Sequence, residues 1–221
     1  MKLFLSALTK FLIGLLLVGL LIFLPAGTLA YPGGILFLCL LFIPMLIMGI
    51  VMLARARDLL AKRLDVKEKQ GTQKGVVAIT GLIFLVGFVL AGLDFRFGWS
   101  QVPLPVVIVA SVLFLVGYAL YAEVMRENAY LSRTVKVEEG QTVVSTGLYA
   151  VVRHPMYMAS TVMFLALPLV LGSWYALIPF AIYPVIMVVR ICGEEKLLTA
   201  ELSGYEEYKR KVKYRMIPFI W

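Results

Sequence analysis

The chain has 221 residues, of which 62% are hydrophobic and 15% charged. Soluble domains run at roughly half apolar and about a quarter charged, so a water-soluble core of this size would leave much apolar surface uncovered. The class is a polytopic α-helical membrane protein, and the net charge of +8 reads as the cationic loops that set membrane orientation, not as a nucleic-acid surface.

Residues 3–24 are apolar apart from Lys10, Ser6 and Thr9 and make the first span, ending near Pro25. Residues 33–53 make the second, about 21 residues, enough for a hydrocarbon core of ~30 Å at ~1.5 Å per residue. Pro44 should kink it. Residues 55–74 follow with seven Lys/Arg against three Asp/Glu, the strongest candidate for a cytoplasmic loop. The third span covers 76–93. The loop 94–101 carries one Asp and one Arg, with Trp99 as an interfacial anchor. The fourth span covers 103–125, with Pro103 and Pro105 in its first turn, where a missing N–H costs little.

Residues 127–152 are too polar to span. In them Val135, Val137, Val143 and Val144 alternate with polar residues, which permits a short extended excursion. The fifth span runs over 155–171, a tight turn follows at Gly172 and Ser173, and the sixth runs from Trp174 to about Leu198, bent by Pro179 and Pro184. These two form a helical hairpin. The tail from Thr199 is amphipathic: Tyr205, Tyr208, Val212 and Met216 recur at spacings of three or four among lysines and arginines, which suits a membrane surface. Six spans place both termini, 55–74 and 127–152 on one side with nearly all Lys/Arg, hence both termini in the cytoplasm of a protein of the inner or plasma membrane. Residues 1–126 hold four spans; 127–221 hold the polar loop, the last hairpin and the tail. Cys39 and Cys192 sit in or beside apolar runs and read as buried thiols with no metal or disulfide framework.

Two clusters carry candidate chemistry. The first is 147–157, reading Gly-Leu-Tyr-Ala-Val-Val-Arg-His-Pro-Met-Tyr and holding the chain's single histidine, His154. His154 precedes Pro155, so it is held out of helical geometry and suits an N-cap, with Pro155 at the first helical position. The N–H groups of Met156, Tyr157 and Met158 then make a positive helix end suited to a carboxylate or phosphate. Tyr149 and Tyr157 add aromatic walls for a base or a cation. Arg, His and Tyr are equally at home as interfacial anchors. The second cluster is Arg190, Glu194 and Glu195. Arg190 and Glu194 share a helix face directly after an apolar run, where ionised groups persist only if paired or functional; a structural ion pair accounts for them as well. No GxGxxG, HExxH or nucleophile elbow occurs, and one histidine cannot make a multi-histidine metal site.

Together the clusters resemble the isoprenylcysteine carboxyl methyltransferase family with its bacterial and archaeal-type relatives, which also look like membrane phospholipid methyltransferases. The pattern Gly-x-Tyr-x-x-x-Arg-His-Pro-x-Tyr is met by Gly147, Tyr149, Arg153, His154, Pro155 and Tyr157. Arg-x-x-x-Glu-Glu is met by Arg190, Glu194 and Glu195, and a Gly/Tyr-rich basic tail by Gly204, Tyr205, Tyr208 and Lys209. The likeness covers roughly 134–221. It implies S-adenosylmethionine bound without a nucleotide-binding domain, at a cytoplasmic site made by the last hairpin, its preceding loop and the tail. The implied cofactor-binding residues are Gln141, Thr142, Val143, Val144, Tyr149, His154, Pro155, Met156, Tyr157 and Glu194, with Arg133 or Thr134 as an upstream partner. Arg190 and Glu194 are the implied catalytic pair, and Arg190 holds the substrate carboxylate. The implied acceptor is a lipophilic prenylcysteine carboxylate entering from the bilayer. A phospholipid amine, a small lipophilic thiol, or a non-enzymatic transport or assembly role are the alternatives. No metal and no nucleic acid are expected.

Overall fold

The computed structural model describes residues 2–64, 71–131, 137 and 140–221. Nine α-helices follow in order among the described residues: α1 (Lys2–Ala26), α2 (Pro32–Arg55), α3 (Arg57–Leu64), α4 (Gly71–Phe97), α5 (Leu104–Glu127), α6 (Pro155–Val170), α7 (Trp174–Phe180), α8 (Tyr183–Glu201) and α9 (Tyr205–Lys211). No strand occurs among them. The architecture is that of an all-α integral membrane protein. Arg133, Thr134 and Val135 of the polar loop, and 65–70 of the basic stretch, lie outside the described residues.

Five stretches are long and apolar enough to cross a membrane: Lys2–Ala26, Pro32–Arg55, Gln73–Phe97, Leu104–Glu127 and Trp174–Glu201. The expected fifth span, α6, is shorter at 16 residues, or ~24 Å at 1.5 Å per residue. Its far end is level with its neighbours, since the Tyr31 hydroxyl donates to the Leu171 carbonyl. The shortfall therefore falls at the other end, where Pro155 starts the helix and a recess is left beneath the ends of α5 and α8. The expected sixth span is two helices, not one bent helix. Pro184 has no N–H to give the Phe180 carbonyl, and its ring crowds that turn. The chain closes a tight turn at Ala181 and Ile182 instead, and α8 starts afresh.

Other boundaries differ for equally local reasons. Part of the basic stretch is helical: in α3, Leu59 and Leu60 are buried with Met52, Val124 and Met125. The tail's apolar face does not lie on the membrane surface. Tyr205, Tyr208 and Val212 bury with Leu202, while Met216 packs with Tyr157, Tyr183 and Ile191. Neither cysteine is buried: Cys39 is exposed on α2 and Cys192 is half-buried, because an apolar position on a spanning helix can face lipid as readily as protein.

Close helix contacts are made where glycines remove a side chain. A Cβ on Gly117 of α5 would meet Met163 at 2.6 Å, and one on Gly92 of α4 would meet the Ile22 carbonyl at 2.6 Å. Around them Ile22, Phe37, Phe88, Phe114, Leu167 and Phe180 form the main core. At the far end the buried Asp94 carboxylate accepts from the Ser100 N–H at 2.7 Å, from the Ser100 hydroxyl at 2.6 Å and from the Ser173 hydroxyl. It thereby joins α4 to the α6–α7 turn. Among the described residues Arg96 is the only Lys or Arg at that end; the rest gather toward the other.

Asp94→Ala should cost about 1–3 kcal/mol, because it strands the buried Ser173 hydroxyl and frees Ser100 from α4. Thermal unfolding in detergent reads this directly, and an unchanged midpoint would contradict the role given to the carboxylate.

Candidate active site

The recess at the start of α6 is walled by 147–157. Gly147 takes φ of +50°, which favours glycine, and a Cβ there would run into the Glu127 carboxylate. Glu127 in turn accepts the Leu148 N–H at 3.0 Å. The resulting 3-10 turn, Gly147–Ala150, drives Tyr149 inward. Its hydroxyl accepts from Asn128 at 2.8 Å, and its carbonyl accepts the Tyr208 hydroxyl at 2.7 Å. Burial pushes Tyr149 up to about 12 and raises Tyr205 and Tyr208 as well. These phenols therefore stay protonated near neutral pH and present neutral, polar-tipped walls.

The next residues are held by the tail. The N–H groups of Arg153 and His154 donate to the carbonyls of Tyr214 and Arg215 at 2.9 and 2.8 Å. Arg153 gives Nε to Glu195 Oε1 at 2.6 Å and Nη1 to the carbonyls of Val212 and Lys213 at 2.7 and 3.0 Å. Arg215 gives Nε to Glu195 Oε2 at 2.9 Å, and His154 Nε2 lies 3.3 Å from Glu195 Oε1. One buried carboxylate thus gathers three basic side chains. Glu195 belongs to the Arg-x-x-x-Glu-Glu pattern, yet its role was not legible there, because its partners are up to 42 residues away.

His154 does act as the N-cap residue, with φ −125° and ψ 63°. The expected positive helix end is partly used up, however. The Tyr157 and Met158 N–H groups close on the His154 carbonyl at 3.1 and 3.2 Å, as the first intrahelical bonds must. The His154 ring lies against Glu195 and stacks on Tyr157 at 5.7 Å between centroids.

Glu194 is one residue from Glu195, about 100° around the helix, and turns to the recess. The Tyr157 hydroxyl donates to Glu194 Oε2 at 2.5 Å and accepts from Arg190 Nε at 2.9 Å. The expected one-turn pairing of Arg190 with Glu194 is therefore mediated by a phenol, and Arg190 also lies 5.8 Å from the centre of that ring.

All the residues implied at the cofactor site, Gln141, Thr142, Val143, Val144, Tyr149, His154, Pro155, Met156, Tyr157 and Glu194, line one cleft together with Arg190. The cleft holds about 830 Å³, including its open mouth. Asn128, Leu198, Leu202, Tyr205 and Tyr208 line it too. None of these five was expected in the cleft; for Tyr205 and Tyr208 the reason is that amphipathic spacing fits lipid and protein equally well. A second cavity of about 1110 Å³, including its open part, adjoins the first and shares Met156, Tyr157 and Arg190 with it. Its other walls are largely apolar: Val76, Val77, Gly81 and Phe84 from α4, Phe164 from α6, Met187 from α8. Arg63 reaches it from α3, donating to the Tyr121 hydroxyl. Its described lining contains two guanidiniums and no carboxylate. Among the described residues no group of three or more His, Cys, Asp or Glu is placed to hold a metal.

Residues 105–204 match the family model described as phospholipid methyltransferase. The matched stretch runs from α5 through the 147–157 wall to the end of α8, so it contains Arg153, His154, Tyr157, Arg190, Glu194 and Glu195. The match covers a little under half of the chain and sets that stretch beside phospholipid methyltransferases. No curated protein matches the chain.

Glu195→Gln should destabilise by about 3 kcal/mol or more, because Arg153 stays buried without its counter-charge. The tail should be freed along with it. Faster tryptic cleavage at Lys211 and Lys213, with a lower unfolding midpoint, is the expected readout; wild-type values for both would remove Glu195 from its position at the centre of the fold.

Proposed function

We propose that the protein is a methyltransferase that uses S-adenosylmethionine and methylates the carboxylate of a lipophilic, isoprenylcysteine-like acceptor. The observation that carries this is the meeting of two unlike cavities at Met156, Tyr157 and Arg190. One is charged and aromatic, the other apolar with guanidiniums at its head. The match of residues 105–204 to phospholipid methyltransferase supports the reaction class.

The first cleft fits the cofactor by its donor set. Glu194 suits an ammonium, Arg153 and His154 suit a carboxylate, and Tyr149 with Val143, Leu198 and Leu202 offers flat and apolar surface for a purine. Bound there, S-adenosylmethionine supplies an electrophilic methyl group. The chain's own contribution is alignment. Tyr157 ties Arg190 to Glu194, so the group that holds the acceptor and the group that holds the cofactor are fixed through one phenol. Arg190 orients the acceptor carboxylate and strips it of water at the mouth of an apolar cavity. A carboxylate is already ionised at pH 7, so no base is needed. The basic end that carries the cleft faces the cytoplasm.

The name of the matched family favours one other acceptor, a phospholipid amine. An ammonium must lose a proton before it can attack, and the carboxylate nearest the junction of the two cavities, Glu194, already accepts the Tyr157 hydroxyl. A carboxylate acceptor needs no such proton loss at pH 7, and that favours the carboxylate reading.

Purified protein given S-adenosylmethionine labelled in the methyl group should label N-acetyl-S-farnesylcysteine, and base should release the label as methanol. Base-stable label in a phospholipid fraction would establish the amine instead, and no labelling of either would overturn the enzyme. Arg190→Ala and Glu194→Ala should each lower turnover by at least about 100-fold while the protein stays folded. Full activity in either variant would sink the assignment.

A further inference from the structure

Three buried side-chain polar atoms among the described residues have no hydrogen-bond partner: Gln73 Oε1, Thr80 Oγ1 and the Tyr205 hydroxyl. Orphaned buried groups are rare and each costs stability unless something satisfies it. Gln73 is wedged between α4 and α8, where its Nε2 lies 3.4 Å from the Arg190 carbonyl, and it lines neither cavity. Tyr205 differs. It lines the first cleft, it is only 4% exposed, and its ring is fixed by Leu202, Tyr208 and Val212. In the sequence it counted only as part of the tail's apolar face and of the Gly/Tyr-rich tail of the resemblance, with no role of its own, and the family match ends one residue before it.

We infer that the Tyr205 hydroxyl is a cofactor-binding group, donating a hydrogen bond to the nucleoside half of S-adenosylmethionine. This rests on the cofactor reading above. The position follows from the two cavities. The reacting methyl must lie where they meet, at Met156, Tyr157 and Arg190, and Tyr205 lines the first cleft alone. Its ring packs with Tyr208, Leu202, Val143 and Leu198, apolar and aromatic surface of the kind a nucleoside takes. Ribose oxygens and purine ring nitrogens are acceptors, and a protonated phenol is a donor. Burial of Tyr205, with Glu194 and Glu195 nearby, keeps the proton on the oxygen.

An orphan that a ligand satisfies has a signature that a structural tyrosine lacks. Removing the oxygen relieves a buried, unsatisfied group in the free protein, so stability holds or rises, while affinity falls. Calorimetric titration of the full chain in detergent with S-adenosylhomocysteine and with 5′-methylthioadenosine tests this, beside thermal unfolding without ligand. Tyr205→Phe should bind both ligands about fivefold more weakly, with an unfolding midpoint no lower than wild type. Wild-type affinity in Tyr205→Phe, or a lowered midpoint accompanying the lost affinity, would overturn the proposal. So would a loss confined to S-adenosylhomocysteine, which would place the contact on the amino-acid half. If the wild type bound neither ligand, the cofactor reading itself would fall and this inference with it.

Discussion

The Glu195 carboxylate is the point on which the rest of the site depends. Both of its oxygens are used, one by Arg153 with His154 close by and the other by Arg215. A buried charge is tolerable only when it is fully paired, since desolvation otherwise outweighs attraction. Here pairing is extended through Arg153 to two tail carbonyls. A single group on α8 therefore ties the loop before α6 and the C-terminal tail to one another. Every wall of the first cleft is attached to one of those three segments or to α5 beside them.

The same turn of α8 separates structure from chemistry. Consecutive residues on a helix diverge by about 100°, so Glu195 looks toward the tail while Glu194 looks into the cleft. A pair of adjacent glutamates is thus a device for anchoring a helix and using it at the same place. Pro184 sets where that helix begins, and the short α6 leaves the recess into which Glu194 and Tyr157 project. In hydrocarbon such non-helical backbone is tolerable only where protein or water satisfies its polar groups. The pairing of Arg153 and His154 with 214 and 215 does that for the loop entering α6.

How much of this could be read beforehand follows from which signals are local. Span positions came from runs of apolar residues and held to within a few residues, except where Pro184 divided one helix in two. The start of α6 was legible because a residue before proline is restricted by its own backbone. Tyr149, His154, Tyr157, Arg190 and Glu194 of the first cleft stand in two clusters of the sequence, Gln141–Val144 came only from the family resemblance, and Asn128, Leu198 and Leu202 from neither. What escaped notice was tertiary. No local pattern tells that Tyr157 stands between Arg190 and Glu194, or that Glu195 reaches Arg153. The tail was assigned to the membrane surface because amphipathic spacing records an apolar face without naming what covers it. Cys39 was misplaced for the same reason, since lipid and protein interior look alike in composition.

The two cavities draw on different parts of the chain, and that division bears on how the protein selects what it modifies. The first cleft is built almost wholly from residues within 128–208, most of them inside the stretch matched at 105–204. The second takes Val76, Val77, Thr80, Gly81 and Phe84 from α4 and Arg63 from α3, all outside that stretch. Its apolar length is set by α4 and its charge in part by α3, while Tyr157 and Arg190 remain common to both. On the proposed reading, substitutions along α4 can reshape the acceptor's tail pocket without moving Glu194 or the 147–157 wall. The reverse does not hold. Any shift of Tyr157 displaces the one phenol that links the two halves, so the shared residues are constrained by both ligands at once.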